Sequence, residues 1–280
     1  MKITKIGILY HPMVEASRAK TEQIISLLTS LNIKVWSCSA WELEKAIESL
    51  DGTDLILTTG GDGTILRAAQ VALQKQIPIT GINMGNLGFL TEIKANEALE
   101  RLPELLAGKG WVDERAMLEA RLEPTEQGGK PELFKALNDI VLARGAIAKL
   151  IQVNTTIDGK LLTTHRADGV IMATATGSTG YSLAAGGPVI YPQSKDILLA
   201  PIVSHLSLGY SLVLPSSSIV KLELTSTGQA TLSIDGHINI PVYGGAEVQV
   251  RQSTQKTRFL RLHEQNDFFG SLEEKLRGKK

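Results

Sequence analysis

The sequence predicts an N-terminal α/β domain with a doubly wound, mostly parallel sheet, followed by a β-rich, antiparallel domain. Two observations lead to this prediction. In residues 1–111, short β-branched runs alternate with segments whose apolar residues recur at helical spacing. Beyond residue 112, strand-like runs and Asp-Gly turns replace the helical pattern. We therefore predict domains over 1–111 and 112–255, with a C-terminal strand and helix over 256–280 that pack back on the body.

The N-terminal strands and helices alternate as in a Rossmann-like fold. Strands are predicted over residues 3–10, 33–36, 54–59 and 77–83, and helices over 16–31, 41–50, 65–73 and 95–106. Strands that alternate with helices form parallel sheets, and ligands bind at the carboxyl ends of those strands. Asp62 and Asn83 each follow such an end, so we expect both at the ligand crevice.

The C-terminal domain is predicted to be sandwich-like. Strand patterns cover 118–122 and 134–142, and Asp158-Gly159 and Asp235-Gly236 each join two further runs, 153–157 with 160–164 and 230–234 with 238–242. Asp-Gly between two strand-like runs is a strong hairpin signal, because both residues tolerate positive φ. A short amphipathic helix is predicted over 268–276, and its role is structural.

Composition favours a small-molecule partner. Twenty-nine basic residues balance 29 acidic ones, so no global field attracts nucleic acid or an anionic membrane. No apolar run approaches the length of a membrane span. The single Cys38 excludes an internal disulfide and suits a reducing cytoplasm. Histidines are scattered without a metal-ligand spacing, so we expect no metal site built from protein side chains.

The stretch Gly60-Gly61-Asp62-Gly63-Thr64 forms a glycine-rich turn between a strand and a helix. Glycines let the backbone approach a ligand closely, and the free N–H groups of a helix start attract phosphate. Asp62 would repel that phosphate unless a cation lies between them or the carboxylate takes a proton from a hydroxyl. Either case indicates phosphoryl transfer. The alternative is an ordinary turn with Asp62 as a capping residue, and the lysine of a Walker A loop is absent.

Two further polar stretches interrupt apolar runs. Residues 168–182 lead from a buried strand into a loop of Thr, Ser, Gly and Tyr that suits hydrogen bonds to ribose hydroxyls or a carboxamide, although a polar surface loop is the alternative. Asn138-Asp139 lies inside the apolar run 137–142. Buried polar groups must be paired or face a ligand, unless a strand edge or bulge turns this pair to solvent.

In this order along the chain, these motifs resemble those of ATP-NAD kinases. They are Gly60 to Thr64, the loop from Asn83 to Thr91, Asn138-Asp139, Asp168-Gly169 and residues 176–182. The glycine motif alone is shared with lipid kinases of the diacylglycerol-kinase type, and the other motifs narrow the resemblance. It implies transfer of the γ-phosphoryl group of ATP to the 2′-hydroxyl of the adenosine ribose of NAD. It also implies a divalent cation, foremost Mg²⁺, and a homodimer or homotetramer.

The resemblance assigns roles to individual residues. Asp62 becomes the general base, Asn138 and Asp139 would hold ribose hydroxyls, Asp168 the nicotinamide end, and Phe89 would lie against the adenine. Further substrate contacts are implied for Gly63, Arg67, Asn83, Lys149, Arg166, Thr176, Thr179, Gly180, Tyr181, Ser182, Leu183, Ala184 and His237.

The sequence departs from the family pattern at three places. Gly180 stands where alanine is common, His237 where glutamine is common, and Gly209-Tyr210 replaces an expected basic residue after an altered segment at 200–207. The last change bears on substrate preference or subunit contacts. Two alternative functions are a noncatalytic dinucleotide sensor and a lipid or small-alcohol kinase. The intact Asp62 speaks against the first, and the lack of an apolar membrane-facing segment against the second.

Overall fold

The structure is a computed structural model that describes residues 3–85, 88–124, 130–145, 149–203, 209–265 and 267–277, with Asp267 described by its backbone alone. Its strands are β1 (Lys5–Tyr10), β2 (Lys34–Ser39), β3 (Leu55–Gly60), β4 (Ile79–Asn83), β5 (Ile93–Lys94), β6 (Trp111–Leu122), β7 (Glu132–Ala136), β8 (Asp139–Arg144), β9 (Ile151–Ile157), β10 (Lys160–Ala167), β11 (Gly169–Thr174), β12 (Ile197–Ile202), β13 (Leu212–Leu214), β14 (Val220–Leu224), β15 (Ala230–Ile234), β16 (Ile238–Val242) and β17 (Glu247–Arg261). Its helices are α1 (Glu15–Ser30), α2 (Leu43–Glu48), α3 (Asp62–Ala72), α4 (Ala98–Glu104), α5 (Tyr181–Ala184) and α6 (Asp267–Arg277).

The chain divides into two compact units. The first comprises Met1–Glu114 and Thr257–Lys280, and the second Arg115–Lys256. The boundaries fall inside β6 and β17, so the chain passes from one unit to the other within a strand each time. No helix in the described part of the chain is long and apolar enough to cross a bilayer.

The first unit is built on a parallel sheet in the order β2-β1-β3-β4-β5. Helices cover both of its faces. Two neighbouring residues of β4 show this, since successive strand residues point to opposite sides of a sheet. Ile82 of β4 packs in the apolar cluster that contains Ile24 of α1 and Leu102 of α4. The neighbouring Gly81 lies against Ile65 of α3, within 2.4 Å of the place that a Cβ would take. The predicted doubly wound domain is thereby confirmed.

The second unit is an antiparallel sandwich. One sheet has the order β13-β12-β11-β8-β15-β16, and facing it are β10-β9-β14 with the first part of β17, and the pair β6-β7. The core between them takes one face of each strand, for example Ile140 and Leu142 from β8 and Leu222 from β14. Both predicted Asp-Gly hairpins are present, joining β9 to β10 and β15 to β16. Their aspartates have φ of 50° and 49°.

Several predicted elements have other bounds in the structure, among them the following three. Residues 134–142 form two strands, β7 and β8, because the backbone N–H groups of residues 137–139 bond to the carboxylate of Asp235 instead of a neighbouring strand. Helix α3 begins at Asp62, inside the glycine turn, and not at residue 65. Helix α2 is shorter than the predicted 41–50, since Ser39 and Glu42 form a hydrogen-bonded turn before it.

Candidate active site

The glycines of the turn between β3 and α3 divide into two kinds. A Cβ at Gly60 would lie 2.2 Å from Thr64 Oγ1, so this glycine is needed for the close packing of the turn. A Cβ at Gly61 or Gly63 would meet no atom within 4 Å. Gly61 and Gly63 therefore border open space in which a ligand can approach the backbone.

The Asp62 carboxylate binds the loop that follows β4. Its Oδ2 accepts a hydrogen bond from the Phe89 N–H at 2.8 Å, and its Oδ1 accepts one from the Leu90 N–H at 3.1 Å. A Cβ at Gly88 would lie 2.2 Å from Oδ1, so only glycine fits there. Asp62 is therefore not a helix cap, and each of its oxygens keeps a further lone pair for a ligand.

The start of α3 is available to an anion. Its N-cap residue, Gly61, offers no side-chain hydrogen bond, so the first N–H groups of the helix lack the partner that a Ser or Asp cap would supply. The Asp62 carboxylate is turned to the amides of residues 89 and 90 and does not cap the helix. The first N–H groups of α3 can therefore bind phosphate beside it.

Arg67, one turn further along α3, is half-buried and stacks on an aromatic ring. Its guanidinium carbon lies 4.3 Å from the centre of the Trp41 ring, and His11 meets the same ring edge-on at 4.7 Å. Burial lowers the pKa of Arg67. His11 follows β1, and its N–H donates to Thr59 O near the end of β3. Because Trp41 contacts His11, the cation–π contact with Trp41 holds the guanidinium close to the carboxyl ends of these two strands.

Asn83 ends β4 beside the glycine turn, in register with Gly60. Its Oδ1 accepts a hydrogen bond from the Gly85 N–H at 3.0 Å, and both residues line a cavity of about 310 Å³ with Lys94 and Asn96. Residues 86 and 87 of the predicted loop lie outside the described residues. Phe89 is half-buried, and Lys275 Nζ of α6 lies 6.0 Å from its ring centre.

In the second unit, Asn138 and Asp139 are held by a third side chain. The Asp235 carboxylate accepts hydrogen bonds from the N–H groups of Leu137, Asn138 and Asp139 at 2.7 to 3.2 Å. Asp139 is 6% exposed and begins β8, an inner strand of its sheet. The pair is therefore not a strand edge turned to solvent. The Oδ1 of Asn138 is buried and has no partner among the described residues.

Two negative charges lie close together at this point. Burial raises the pKa of Asp139 to about 7, and the charge of Asp235 adds to the effect. Near neutral pH the Asp139 carboxyl group is thus present in both its protonated and its ionised forms, and the protonated form can donate a hydrogen bond as well as accept one.

The loop at 174–182 packs against the Asn138 backbone. The Thr174 N–H donates to Asn138 O at 2.9 Å, and a Cβ at Gly177 would lie 2.0 Å from the same oxygen. The position of a Gly180 Cβ is 3.5 Å from Asn138 Nδ2 and 3.8 Å from Asp139 Oδ2. The structure thus brings together the Asn-Asp pair and the hydroxyl-rich loop, the two stretches for which the family resemblance implies contacts with NAD.

Most hydroxyls of this loop face inward. Thr174 Oγ1 donates to Leu137 O, Ser178 Oγ to Ala175 O and Thr179 Oγ1 to Thr176 O. Arg115 donates to Thr176 Oγ1 at 3.3 Å, and the Ser182 hydroxyl is buried without a partner in the described chain. The interpretation as a polar surface loop does not hold, since residues 174–179 are buried. These hydroxyls stabilise the loop, and their role as substrate ligands stays a prediction.

A cavity of about 380 Å³ opens beside the Asn-Asp pair. It is lined by Asn138, Asp139, Val141, Ala143, Tyr181, Thr231, Ser233, Asp235, Gly236 and Asn239. Tyr181 and Ala184 are exposed and Leu183 is half-buried. His237 lies in the same hairpin turn as Asp235, with its Nδ1 3.1 Å from Asp235 O. The cavity combines an aromatic face with polar groups, as a nucleoside requires.

Asp168, Lys149 and Arg166 lie elsewhere in the second unit. The register of β8 with β11 pairs Ala173 with Asp139 and Gly169 with Ala143, which puts Asp168 roughly 15 Å along the strands from Asp139. Asp168 forms an ion pair with Arg144 at 3.1 Å. Lys149 and Arg166 are exposed. Within one chain, these residues do not join the cavity beside Asn138.

Comparisons with known proteins agree with these motifs. Residues 9–110 match the family model of the ATP-NAD kinase N-terminal domain, and residues 137–262 match that of the ATP-NAD kinase C-terminal domain. An NAD kinase of Dehalococcoides mccartyi strain BAV1 is 49% identical over 274 residues, 98% of this chain and 96% of that protein. The chain belongs to the ATP-NAD kinase family. The predicted enzyme class, a phosphotransferase with an alcohol group as acceptor, is thereby confirmed.

Further members of the ATP-NAD kinase family show the same relation. An NAD kinase of Chloroflexus aggregans is 38% identical over 98% of this chain and 99% of that protein. The crystal structure of yeast NADH kinase complexed with NADH matches with a TM-score of 0.88 and 28% identity, over 99% of this chain and 88% of that one. The structure of an Archaeoglobus fulgidus NAD kinase in complex with ATP matches with a TM-score of 0.81 and 26% identity, over 98% of this chain and 99% of that one.

Two features of the site could not be predicted from the sequence of this ATP-NAD kinase family member. They are the role of Asp235 and the residues that hold the loop at 88–92. Asp235 was assigned to a hairpin turn, yet its side chain fixes the backbone of residues 137–139. An acid in a turn beside a motif is too common a feature to reveal this role. Leu90 O accepts a hydrogen bond from Arg261, which is 171 residues away along the chain, and the motif gives no indication of this partner.

Proposed function

We propose that the protein is an NAD kinase that transfers the γ-phosphoryl group of ATP to the 2′-hydroxyl of the adenosine ribose of NAD. Membership of the family supports the reaction class. The position of Asp62 supports phosphoryl transfer. Its carboxylate lies at an uncapped helix start, between two glycines that border open space.

Asp62 is the general base in this proposal. The 2′-hydroxyl oxygen forms a bond to the γ-phosphorus, the bond from that phosphorus to the ADP oxygen breaks, and the hydroxyl proton passes to the carboxylate. The free N–H groups at the start of α3 bind phosphate oxygens, and Arg67 adds positive charge from its stack on Trp41. Asn83 borders the same turn.

Asn138 and Asp139 hold ribose hydroxyls of NAD, and Tyr181 provides a stacking face for a ring. The Oδ1 of Asn138, which has no donor among the described residues, supports this role, because a buried acceptor without a donor costs about 1–3 kcal/mol unless a ligand supplies one. Asp168, Lys149 and Arg166 are proposed as further substrate contacts, although Asp168 lies at the other end of β8 and β11 from Asp139.

A divalent cation, foremost Mg²⁺, is proposed to enter with ATP. In the described part of the chain no group of three or more His, Cys, Asp or Glu side chains converges as a metal site. The residues present therefore fit a cation held mainly by the phosphate oxygens, with Asp62 and Asn83 as the neighbouring protein oxygens. Such a cation supplies neutralisation of the triphosphate charge, in place of the missing P-loop lysine.

Three finer statements belong to the same proposal. We place the protein in the cytoplasm, as its lone, buried Cys38 suits a reducing compartment. We expect a homodimer or homotetramer, which size-exclusion chromatography with light scattering would reveal. We expect no nucleic-acid or membrane partner, because the formal charges balance. A noncatalytic sensor and a lipid kinase are not favoured by the relatives, which are NAD kinases.

The test is NADP formation from ATP, Mg²⁺ and NAD, measured with an NADP-specific dehydrogenase. Asp62→Asn is expected to lower kcat by at least about 10²-fold while NAD binding persists, since general-base catalysis contributes that much. Asp54→Asn is the matched control, because Asp54 also accepts two backbone N–H groups, from Thr4 and Lys5, outside the glycine turn. A folded parent that binds NAD without forming NADP would contradict the proposal.

A further inference from the structure

A buried ionic cluster lies behind the loop that binds Asp62. Arg261, at the end of β17, is 7% exposed by its side chain, Glu92 4% and Asp113 1%. Arg261 Nη1 lies 3.1 Å from Glu92 Oε2, and its Nε lies 3.3 Å from Asp113 Oδ2. Buried ion pairs often contribute little net stability, because removing charges from water offsets their attraction. The cluster therefore calls for an explanation other than stability.

The cluster is bonded directly to the residues that bind Asp62. Arg261 Nη1 donates to Leu90 O at 2.7 Å. The N–H of the same Leu90 donates to Asp62 Oδ1, and that of Phe89 to Asp62 Oδ2. One short loop thus joins the guanidinium of Arg261 to the carboxylate of Asp62, with a hydrogen bond on each side of Leu90.

Glu92 anchors the end of this loop. Its N–H donates to Gly81 O at 2.8 Å, which ties it to β4. Its Oε1 accepts hydrogen bonds from the N–H groups of Leu262 and His263 and lies 2.8 Å from His263 Nδ1. Burial opposes ionisation of Glu92, but the hydrogen bonds from His263 and the charge of Arg261 outweigh it and lower its pKa to about 2. The carboxylate is therefore ionised throughout the physiological range.

We propose that Arg261 is a positioning residue for catalysis: through Leu90 and Glu92 it fixes the loop at 88–92, and the loop fixes the Asp62 carboxylate. The proposal rests on the role of Asp62 in the proposed function. Residues 88–90 present a glycine and two backbone amides to the carboxylate, so the position of the carboxylate depends on the backbone of this loop. The planar guanidinium of Arg261 bonds one backbone carbonyl and two carboxylates, so it restrains the position of the loop in more than one direction.

The test is Arg261→Lys, which keeps the charge that Glu92 and Asp113 require but cannot reproduce the planar set of donors. A displacement of the carboxylate by about 1 Å lowers turnover by roughly 10²-fold. We expect this loss in kcat, with the KM for NAD and for ATP each within about threefold of the parent values. Arg258→Lys is the matched control, since Arg258 lies in the same strand and forms an exposed pair with Glu114.

Amide hydrogen exchange separates positioning from general destabilisation. In Arg261→Lys the N–H groups of Phe89 and Leu90 are expected to exchange faster, while that of Leu57 in the middle of β3 is unchanged. Unchanged exchange at residues 89 and 90, or faster exchange throughout including Leu57, would overturn the proposal, as would a parent-like kcat. If Arg261→Lys does not fold, Glu92→Gln is expected to give the same pattern with a loss of about tenfold. A parent without NADP formation would refute the proposed function, whereas the exchange measurement would still test the contact between Arg261 and the loop.

Discussion

Gly88→Ala is expected to disable the enzyme, because the new methyl group would take the place of the Asp62 carboxylate. A Cβ at residue 88 would lie 2.2 Å from Asp62 Oδ1 and 2.8 Å from Cγ, whereas ordinary contacts begin near 3.4 Å. Either the carboxylate or the loop must therefore move by about 1 Å. Both movements break or lengthen the hydrogen bonds from Phe89 and Leu90 to Asp62.

Two magnitudes follow from this displacement. Hydrogen bonds to charged groups contribute about 1.5–3 kcal/mol each, so partial loss of two lowers the free energy of unfolding by about 2–4 kcal/mol. Displacement of the base by about 1 Å lowers kcat by roughly 10²-fold. Urea unfolding measures the first quantity, and NADP formation at saturating ATP and NAD measures the second.

Gly228→Ala is the control for the substitution itself, since a Cβ there meets no atom within 4 Å. It should leave kcat and stability close to the parent values. A Gly88→Ala enzyme that turns over within about threefold of the parent would refute the reasoning, because it would mean that the contact between Gly88 and Asp62 does not persist in the working enzyme.

Two further substitutions test a site residue that borders open space, Gly63, and one that is buried, Asp139. Gly63→Ala is expected to raise the free energy of unfolding by roughly 0.5–1 kcal/mol, because alanine favours a helix more than glycine does. It is also expected to lower kcat/KM by about tenfold, because its methyl group enters the open space beside the turn. Normal turnover would show that no substrate occupies that space. Asp139→Asn is expected to flatten the pH dependence of stability. With a pKa raised from 3.8 to about 7, Asp139 favours the folded state fully below pH 4, and this contribution is lost as the pH rises to about 7. Urea titrations at pH 5 and 8 compare the two proteins, and an equal pH slope for both would contradict the assignment.

The fold was predictable from sequence because its signals are local. The positions of Asp158 and Asp235 before glycine fix two hairpins, since both aspartates adopt positive φ. The strand-helix alternation of residues 1–111 similarly fixes a parallel sheet. The prediction failed where tertiary contacts replace local preference. The apolar run 134–142 is divided because an acid almost 100 residues away binds its backbone.

The candidate site was predictable in part for the same reason. The motifs around Asp62 and Asn138 stand out because glycine and polar residues interrupt apolar runs. The inward direction of the hydroxyls at Thr174 and Ser178 has no such signal, since a serine or threonine in a loop reads alike whether it binds a ligand or its own backbone.

The loops of the site are held by carboxylates that lie elsewhere in the sequence. Residues 137–139 are bound by Asp235, residues 89 and 90 by Asp62, and the chain at 262–263 by Glu92. Glycine-rich and polar loops have few apolar side chains to bury, and an anion that accepts several backbone N–H groups adds the contacts that hold them. Asp62 stands out in its glycine motif, whereas Asp235 and Glu92 leave the local sequence pattern unchanged. The motifs therefore reveal Asp62 but not Asp235 or Glu92, and substitution of Glu92, which binds the backbone of residues 262 and 263, should impair function through the loop it holds.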